Sequence, residues 1–433
     1  MANASQSPVQ PHPGASTVTV VNHSRSASEV GVDAALLVSA LFLQRFSLSL
    51  GNSLLSLDVV PTACVIIYQF AAGRLVINYD RLLWFIALGF VATCSLYFNF
   101  SSKMLSSYSE FIVMYFLFTL SKRTSTNSYR HTLQVFQFLV MTLSALAIAQ
   151  FFAQFVVDGR QIILFFGIVP DFLFASYGAG GVNTIIPLYE GTSLIKSNGI
   201  FLAEPSTLSQ MTALAILIEI LEFARLRYLC LLALGYLLSY SGTGLMMLLV
   251  FVPLASLVRG RAMQYALLLL IFVFGLVITG IVDLSVFLGR LGEFEDTHAS
   301  GHARFIVPFS AAADFLHSAS PSGWLFGNGP GTTAGFLQFG DTGGFTGTWL
   351  KLLYEYGFIG SFIFILFLVG CCRRTPCPSI ILAAIFFSFA LLGGYLLGTP
   401  FLTIMIVLLT LSGPMSWSRH VETKGKCRPP FVD

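Results

Sequence analysis

Residues 262–283 read Ala262-Met263-Gln264-Tyr265-Ala266-Leu267-Leu268-Leu269-Leu270-Ile271-Phe272-Val273-Phe274-Gly275-Leu276-Val277-Ile278-Thr279-Gly280-Ile281-Val282-Asp283. No charge falls between Arg261 and Asp283. The run meets the roughly 20 apolar residues that a helix needs to cross a bilayer core. Runs of the same kind, some shorter, lie at about 34–51, 59–77, 82–100, 105–121, 132–157, 202–223, 226–241, 243–258, 349–370, 379–397 and 400–415. The pair within 226–258 is tight for two spans and turns through Ser239-Tyr240-Ser241-Gly242-Thr243-Gly244. The spacing predicts an all-α integral membrane protein of about a dozen transmembrane helices.

Composition points the same way. The chain of 433 residues is 55% hydrophobic and only 10% charged, with 42 Phe and a mean hydropathy of +0.80. A soluble domain carries roughly 25% charged residues, so this chain has too little polar surface to cover a water-soluble globule. The polar first 32 residues lack the apolar core of a secretory signal, and 1–33 is expected to be a disordered cytoplasmic tail. The polytopic domain then covers 34–415, and 416–433 forms a second cytoplasmic tail.

The distribution of basic residues orients the spans. With the first tail inside, the inner side takes Arg25, Arg74, Arg81, Lys122, Arg123, Arg130, Arg225, Arg227, Arg259, Arg261, Arg373, Arg374, Arg419, Lys424, Lys426 and Arg428. The outer side takes Lys103, Arg160, Lys196, Arg290, Arg304 and Lys351, and Arg45 falls inside the first span. The apolar stretch 161–178 is broken by Pro170, Asp171 and glycines, and counting it as a span would reverse this bias. It is read as re-entrant or interfacial, which leaves twelve spans with both termini inside. All seven cysteines then lie in spans or on the inner side, so no disulfide framework is expected. Cys371, Cys372 and Cys377 have no accompanying His and read as ordinary thiols.

Two outer loops remain, at about 158–201 and 284–348. The second has helical apolar phasing at Phe305, Phe309, Ala312, Ala313 and Leu316, then a sharply turning segment from Pro321 to Gly331. Structured loops of this length are more often functional than connecting. Lys196, Arg290 and Arg304 run against the topological bias. They read either as a site for an anionic group such as a diphosphate or as partners of Glu190, Glu293, Glu295 and Asp296.

Glu204 precedes Pro205 at a span entry, where capping and general-base chemistry are both open to it. Glu355 sits one turn inside a span between two tyrosines, as an interfacial anchor or a functional carboxylate. Arg45 and Glu110 share a depth and read first as an ion pair, with substrate binding by Arg45 as the alternative. His298, His302 and His317 match no standard metal-ligand spacing. Glu293-Phe294-Glu295-Asp296 lacks the Asp-x-Asp spacing of many metal-dependent sugar transferases, and Gly178, Gly180 and Gly181 follow no strand that would make them a phosphate loop.

Several segments together resemble the O-antigen polymerase and ligase superfamily of bacterial polysaccharide assembly. Ser197-Asn198-Gly199-Ile200-Phe201-Leu202-Ala203-Glu204-Pro205-Ser206 resembles its span entry, and Leu238-Ser239-Tyr240-Ser241-Gly242-Thr243-Gly244 its turn between two short helices. Arg290 to Asp296, followed by Ser300-Gly301-His302-Ala303-Arg304, resembles the opening of its large periplasmic loop. Leu325-Phe326-Gly327-Asn328-Gly329-Pro330-Gly331 and Leu350-Lys351-Leu352-Leu353-Tyr354-Glu355-Tyr356-Gly357-Phe358-Ile359-Gly360 resemble its two remaining motifs. The resemblance covers about 190–360. Thr346-Gly347 stands where the ligases usually carry His-Asn, which favours a Wzy-type polymerase over a ligase. Lys196 stands for a basic residue that is often Arg.

The resemblance implies glycosyl transfer between two polyprenyl-diphosphate-linked oligosaccharides, donor and acceptor, at the outer face of the inner membrane. Arg290, Arg304 and Lys196 would stabilise the departing diphosphate, and Glu204 or Glu355 would take the acceptor proton. His302, His317 and Arg45 are further substrate-binding candidates. No cofactor or metal is expected, and no nucleic acid. The implied partners are membrane lipid and possible contacts with a chain-length regulator and a flippase. A twelve-span transporter or lipid flippase is the main rival, although no paired halves with broken helices are visible. A non-catalytic membrane scaffold is a third reading, in which the outer cations are freely replaceable.

Overall fold

A computed structural model of the chain describes residues 21–50, 53–102, 104–122, 126–170, 173, 185–189, 191–283, 285–286, 289, 300–336 and 347–411. Among the described residues, five helices are long and apolar enough to cross a membrane: α3 (Tyr79–Phe98), α5 (Thr126–Ala153, apolar from Tyr129), α7 (Pro205–Phe223), α10 (Gly260–Ile278) and α15 (Thr348–Cys372). Seven shorter apolar helices fall at the other expected positions. They are α1 (Val21–Phe42, apolar from Gly31), α2 (Val59–Ala71), α4 (Met104–Thr119), α8 (Leu226–Leu237), α9 (Gly242–Val258), α16 (Ser379–Leu392) and α17 (Thr399–Leu411). The all-α membrane class therefore stands, while length and composition alone support five crossings rather than twelve.

Several boundaries differ from the sequence reading. α1 begins at Val21, so 21–33 of the expected tail is helical, and it ends at Phe42 rather than near residue 51. The chain then forms a hairpin of β1 (Ser47–Leu50) and β2 (Ser53–Ser56). Alternating Ser and Leu suit a strand, which the apolar average across 34–51 hides. The expected span at 59–77 likewise stops at Ala71, because β3 (Leu75–Ile77) pairs antiparallel with β4 (Leu120–Lys122). Within 161–178, a short α6 (Gly159–Ile163) and a 3-10 turn replace any span among the described residues.

α7 is the buried axis, covered on nearly all sides from Pro205 to Leu221. It packs on α5, α8 and α9, while α3 packs along α15 and α1 along α5. By contrast α10 packs through Tyr265, Leu269, Val273 and Leu276 and leaves its other, apolar face exposed, as a lipid-facing helix does.

Basic residues gather at one end of the bundle. Arg81 is buried at the start of α3 and donates to the carbonyls of Leu120 (3.1 Å) and Thr410 (3.0 Å). Such carbonyls near helix C-termini carry the negative end of the dipole. At the same end lie the pairs Lys122–Asp33, Arg225–Glu219, Arg259–Glu222 and Arg374–Asp80.

The opposite end carries the large loop as α11 (Ser300–Phe305), α12 (Val307–Ser318), α13 (Pro321–Phe326) and α14 (Thr333–Phe336). Ser320 caps α13 by accepting from the Gly323 N–H. The glycine turn after α13 locks into a break in α15. The N–H groups of Asn328 and Gly329 donate to the carbonyls of Tyr354 (2.8 Å) and Glu355 (3.1 Å). Gly357 breaks α15 with φ 67° and ψ −169°. A Cβ there would sit 2.5 Å from the Leu325 carbonyl oxygen. Gly357→Ala is therefore expected to destabilise the protein by about 1–3 kcal/mol or more, read as a lower thermal midpoint in detergent. Gly275→Ala, in a helix with nothing near the new methyl, should be neutral or stabilising by up to about 1 kcal/mol.

Candidate active site

The coil that leads into α7 is buried from Ile195 to Gly199, and side chains at the end of α5 hold its backbone. Gln154 brackets Ile195, accepting from its N–H (2.7 Å) and donating to its carbonyl (3.0 Å). Gln150 accepts from the N–H groups of Asn198 and Ile200. The Ser197 N–H donates to the carbonyl of Leu238, at the end of α8. Ile200 has φ 67°, a strained setting for a β-branched residue. Arg45 Nη1 holds it by donating to the Ile200 carbonyl at 2.7 Å, and the guanidinium lies over the Phe165 ring. These contacts take the place of the ion pair between Arg45 and Glu110 expected from the sequence.

The next turn belongs to Glu204-Pro205-Ser206. Pro205 opens α7 and Glu204 is its N-cap, with φ −139° and ψ 157°. Ser209 and Thr243 bond to each other (2.9 Å), and both reach the Ser206 carbonyl. The Gly244 N–H donates to Ser209 Oγ at 3.0 Å. The span-entry motif and the Leu238–Gly244 turn are thus two halves of one hydrogen-bonded unit.

Arg304, from α11 of the large loop, descends onto that unit. Its Nη2 donates to Glu204 Oε2 at 2.9 Å and to Ser206 Oγ at 3.4 Å. Ser206 Oγ also donates to Glu204 Oε2, at 2.7 Å. Glu204 Oε1 has no hydrogen-bond partner among the described residues. The pair is partly accessible, at 14% for the arginine and 25% for the glutamate.

Both side chains line a cavity of about 750 Å³ at the end opposite the basic cluster. Its wall changes character with depth. Along α4 the lining runs Ser106, Ser109, Glu110, then Val113 and Met114; along α7 it runs Ser206, Thr207, then Met211; along α17 it runs Thr399, then Phe401 and Ile404. The cavity is polar at its mouth and apolar below, so it suits an amphipathic ligand with a charged head and a hydrocarbon tail.

Tyr395 closes one side, in the segment between α16 and α17. Its ring stacks on Phe401 at 4.3 Å between centroids, and its hydroxyl donates to Gln210 Oε1 at 2.9 Å. Its N–H donates to Thr348 Oγ1 at 2.9 Å. Away from the cavity, Tyr189 bridges to Asp283 and ties the first outer loop to the second. Hydrogen bonds, first from Ser285 and then from Tyr189, hold the Asp283 carboxyl below its ordinary range.

Of the residues singled out from the sequence, the structure brings Glu204 and Arg304 together. Arg290 lies outside the described residues. Lys196 is buried in the coil before α7, with its N–H on the Ile186 carbonyl; it does not line the cavity. His302 shares α11 with Arg304, and His317 is exposed on α12; neither lines the cavity. Glu355 is fully buried elsewhere, accepting from the Thr333 hydroxyl (2.6 Å), while its carbonyl accepts from Ser95 Oγ. Among the described residues, no three His, Cys, Asp or Glu side chains group as a metal site would require.

The sequence reading missed Tyr395 and the cavity-facing position of Glu110. For Tyr395 a signal existed: Gly393-Gly394-Tyr395 and Gly398-Thr399-Pro400 punctuate two apolar runs on the same side as Glu204.

The Arg45 geometry separates support from substrate contact. Arg45→Ala would remove the donor to a partly buried carbonyl of a strained residue, at a cost of about 1–3 kcal/mol. The expected readout is a clearly lowered thermal midpoint. Arg304→Ala removes a pair that water can reach and should change stability by less than about 1 kcal/mol.

The model of one family, WcaD colanic acid polymerase, matches residues 33–412. The match runs from the middle of α1 through α17 and takes in every residue of the cavity. No curated protein matches the chain.

Proposed function

The chain belongs to the WcaD colanic acid polymerase family, and from that membership we propose that it joins polyprenyl-diphosphate-linked oligosaccharide repeat units into a surface polysaccharide. The family supports a repeat-unit polymerase acting on lipid-linked substrates, in a membrane protein. The proposal adds the outer face of the bacterial inner membrane as the location, with twelve crossings and both termini cytoplasmic. It also adds a reaction centre at the head of α7.

The observation that carries the reading is the Arg304–Glu204 pair at the mouth of a cavity that turns from polar to apolar with depth. In the proposed reaction the acceptor hydroxyl oxygen attacks the donor's anomeric carbon. The bond from that carbon to the diphosphate breaks, and its electron pair leaves with the diphosphate. Arg304 meets the charge that develops there, and Arg290, from the same loop, is proposed to assist. Guanidinium suits this role because its planar donors match phosphate oxygens. Glu204 Oε1 takes the hydroxyl proton, while Oε2 keeps Arg304 aimed. The apolar depth receives the lipid. Lys196, His302 and His317 are proposed as outer contributors to substrate binding, a longer-range role than that of Arg304.

Replacing Arg304 or Arg290 singly with Ala, with membrane expression confirmed, is expected to cut the polymerisation rate by about 10²–10³. A gel of surface polysaccharide would then show a single repeat unit in place of a ladder. Lipid-linked polymer that accumulates without transfer to the surface would point to a ligase instead. A ladder of unchanged length in both variants would remove the catalytic role assigned to these cations.

A further inference from the structure

Glu110 has no part in the chemistry above, yet it faces the same cavity. Residues 106, 109, 110 and 113 fall on one face of α4 by helical spacing, and all four line the cavity. The other face of the helix carries the core residues Phe111 and Tyr115. The Glu110 side chain is open to the cavity and makes no hydrogen bond or ion pair among the described residues. The cation that acts on it is Lys351, at the start of α15.

A carboxylate at the boundary between the polar first turns of α4 and its apolar remainder, with no donor bonded to it among the described residues, is costly unless its ligand supplies donors. It can accept several hydrogen bonds and donate none. It also repels phosphate, so this wall is a poor place for either diphosphate. Sugar hydroxyls are the complementary group, and Ser106 and Ser109 line the same cavity within about one helical turn of the carboxylate.

We infer that Glu110, with Ser106 and Ser109, forms the subsite for the acceptor sugar, opposite in charge to the Arg304 station that takes the donor's diphosphate. The inference rests on the polymerase reading and deepens it by assigning one substrate to each wall. The acceptor's terminal sugar lies along α4, with its hydroxyl directed to the anomeric carbon held near Glu204. Glu110 then governs which acceptor sugar is accepted, and the proton transfer stays with Glu204.

The test uses the full-length protein in lipid nanodiscs. A preformed polyprenyl-diphosphate-linked dimer of the repeat unit serves as donor, and a labelled lipid-linked single unit is the varied substrate. Glu110→Ala is expected to raise KM for the single unit about tenfold or more while kcat stays within about threefold. The isosteric Glu110→Gln, which preserves shape, should fall between Glu110→Ala and wild type. Unchanged KM in both variants, or a loss confined to kcat, overturns the acceptor assignment while leaving the polymerase reading in place. A wild-type protein that extends no chain overturns both.

Discussion

One charge pair joins the two parts of this molecule that have to meet. Glu204 stands at the head of a helix buried on nearly all sides, and Arg304 comes from a loop a hundred residues later. Ser206 bonds to both, so the carboxylate is aimed and the guanidinium is held in place. A surface ion pair contributes little to stability, and this one is only partly screened from water. Its consequence is positional: it sets a cation and a carboxylate with one free oxygen at the mouth of a single cavity.

That pair can hold its place because its base is rigid. The coil before α7 has its backbone groups bound by Gln150, Gln154, Asn198 and Leu238, and Arg45 restrains the strained Ile200. Ser209, Thr243 and Gly244 stitch α7 to α9 immediately below. On the other side, the turn 325–331 is pinned to the broken α15 by backbone hydrogen bonds too close for any side chain at Gly327 or Gly357. The segments that resemble a family signature are therefore mostly frame. Glu355 belongs to this frame, with its carboxylate on Thr333 and its carbonyl on Ser95.

The bundle separates charge by role. At one end, cations are consumed in structural contacts, whether to carboxylates or to helix-end carbonyls, as with Arg81. At the other end, Arg304, Glu204 and Glu110 surround open space. The cavity wall between the ends loses its hydroxyls and carboxylates within about two helical turns. A charged head and an apolar tail are thereby sorted by depth.

Much was legible in the sequence because it depends on averages along the chain. Apolar run length gave the membrane class and the positions of all the apolar helices; the low charge excluded a water-soluble globule. Glu204 and Arg304 could be singled out because each broke a local rule: one an acid before a helix-opening proline, the other a cation on the sparsely basic side. Helix ends were less legible. A hydropathy average cannot distinguish the strand at Ser47–Leu50 from the end of α1, since cross-strand hydrogen bonds decide it. Nor could sequence spacing show which polar residues meet. Arg45 binds the Ile200 carbonyl rather than Glu110, Glu355 is buried away from the cavity with one oxygen on Thr333, and Tyr395 and Glu110 turn toward the cavity. Those outcomes depend on how helices distant in sequence rotate against one another. Close packing and the satisfaction of buried polar groups fix that rotation, and both are properties of the assembled bundle.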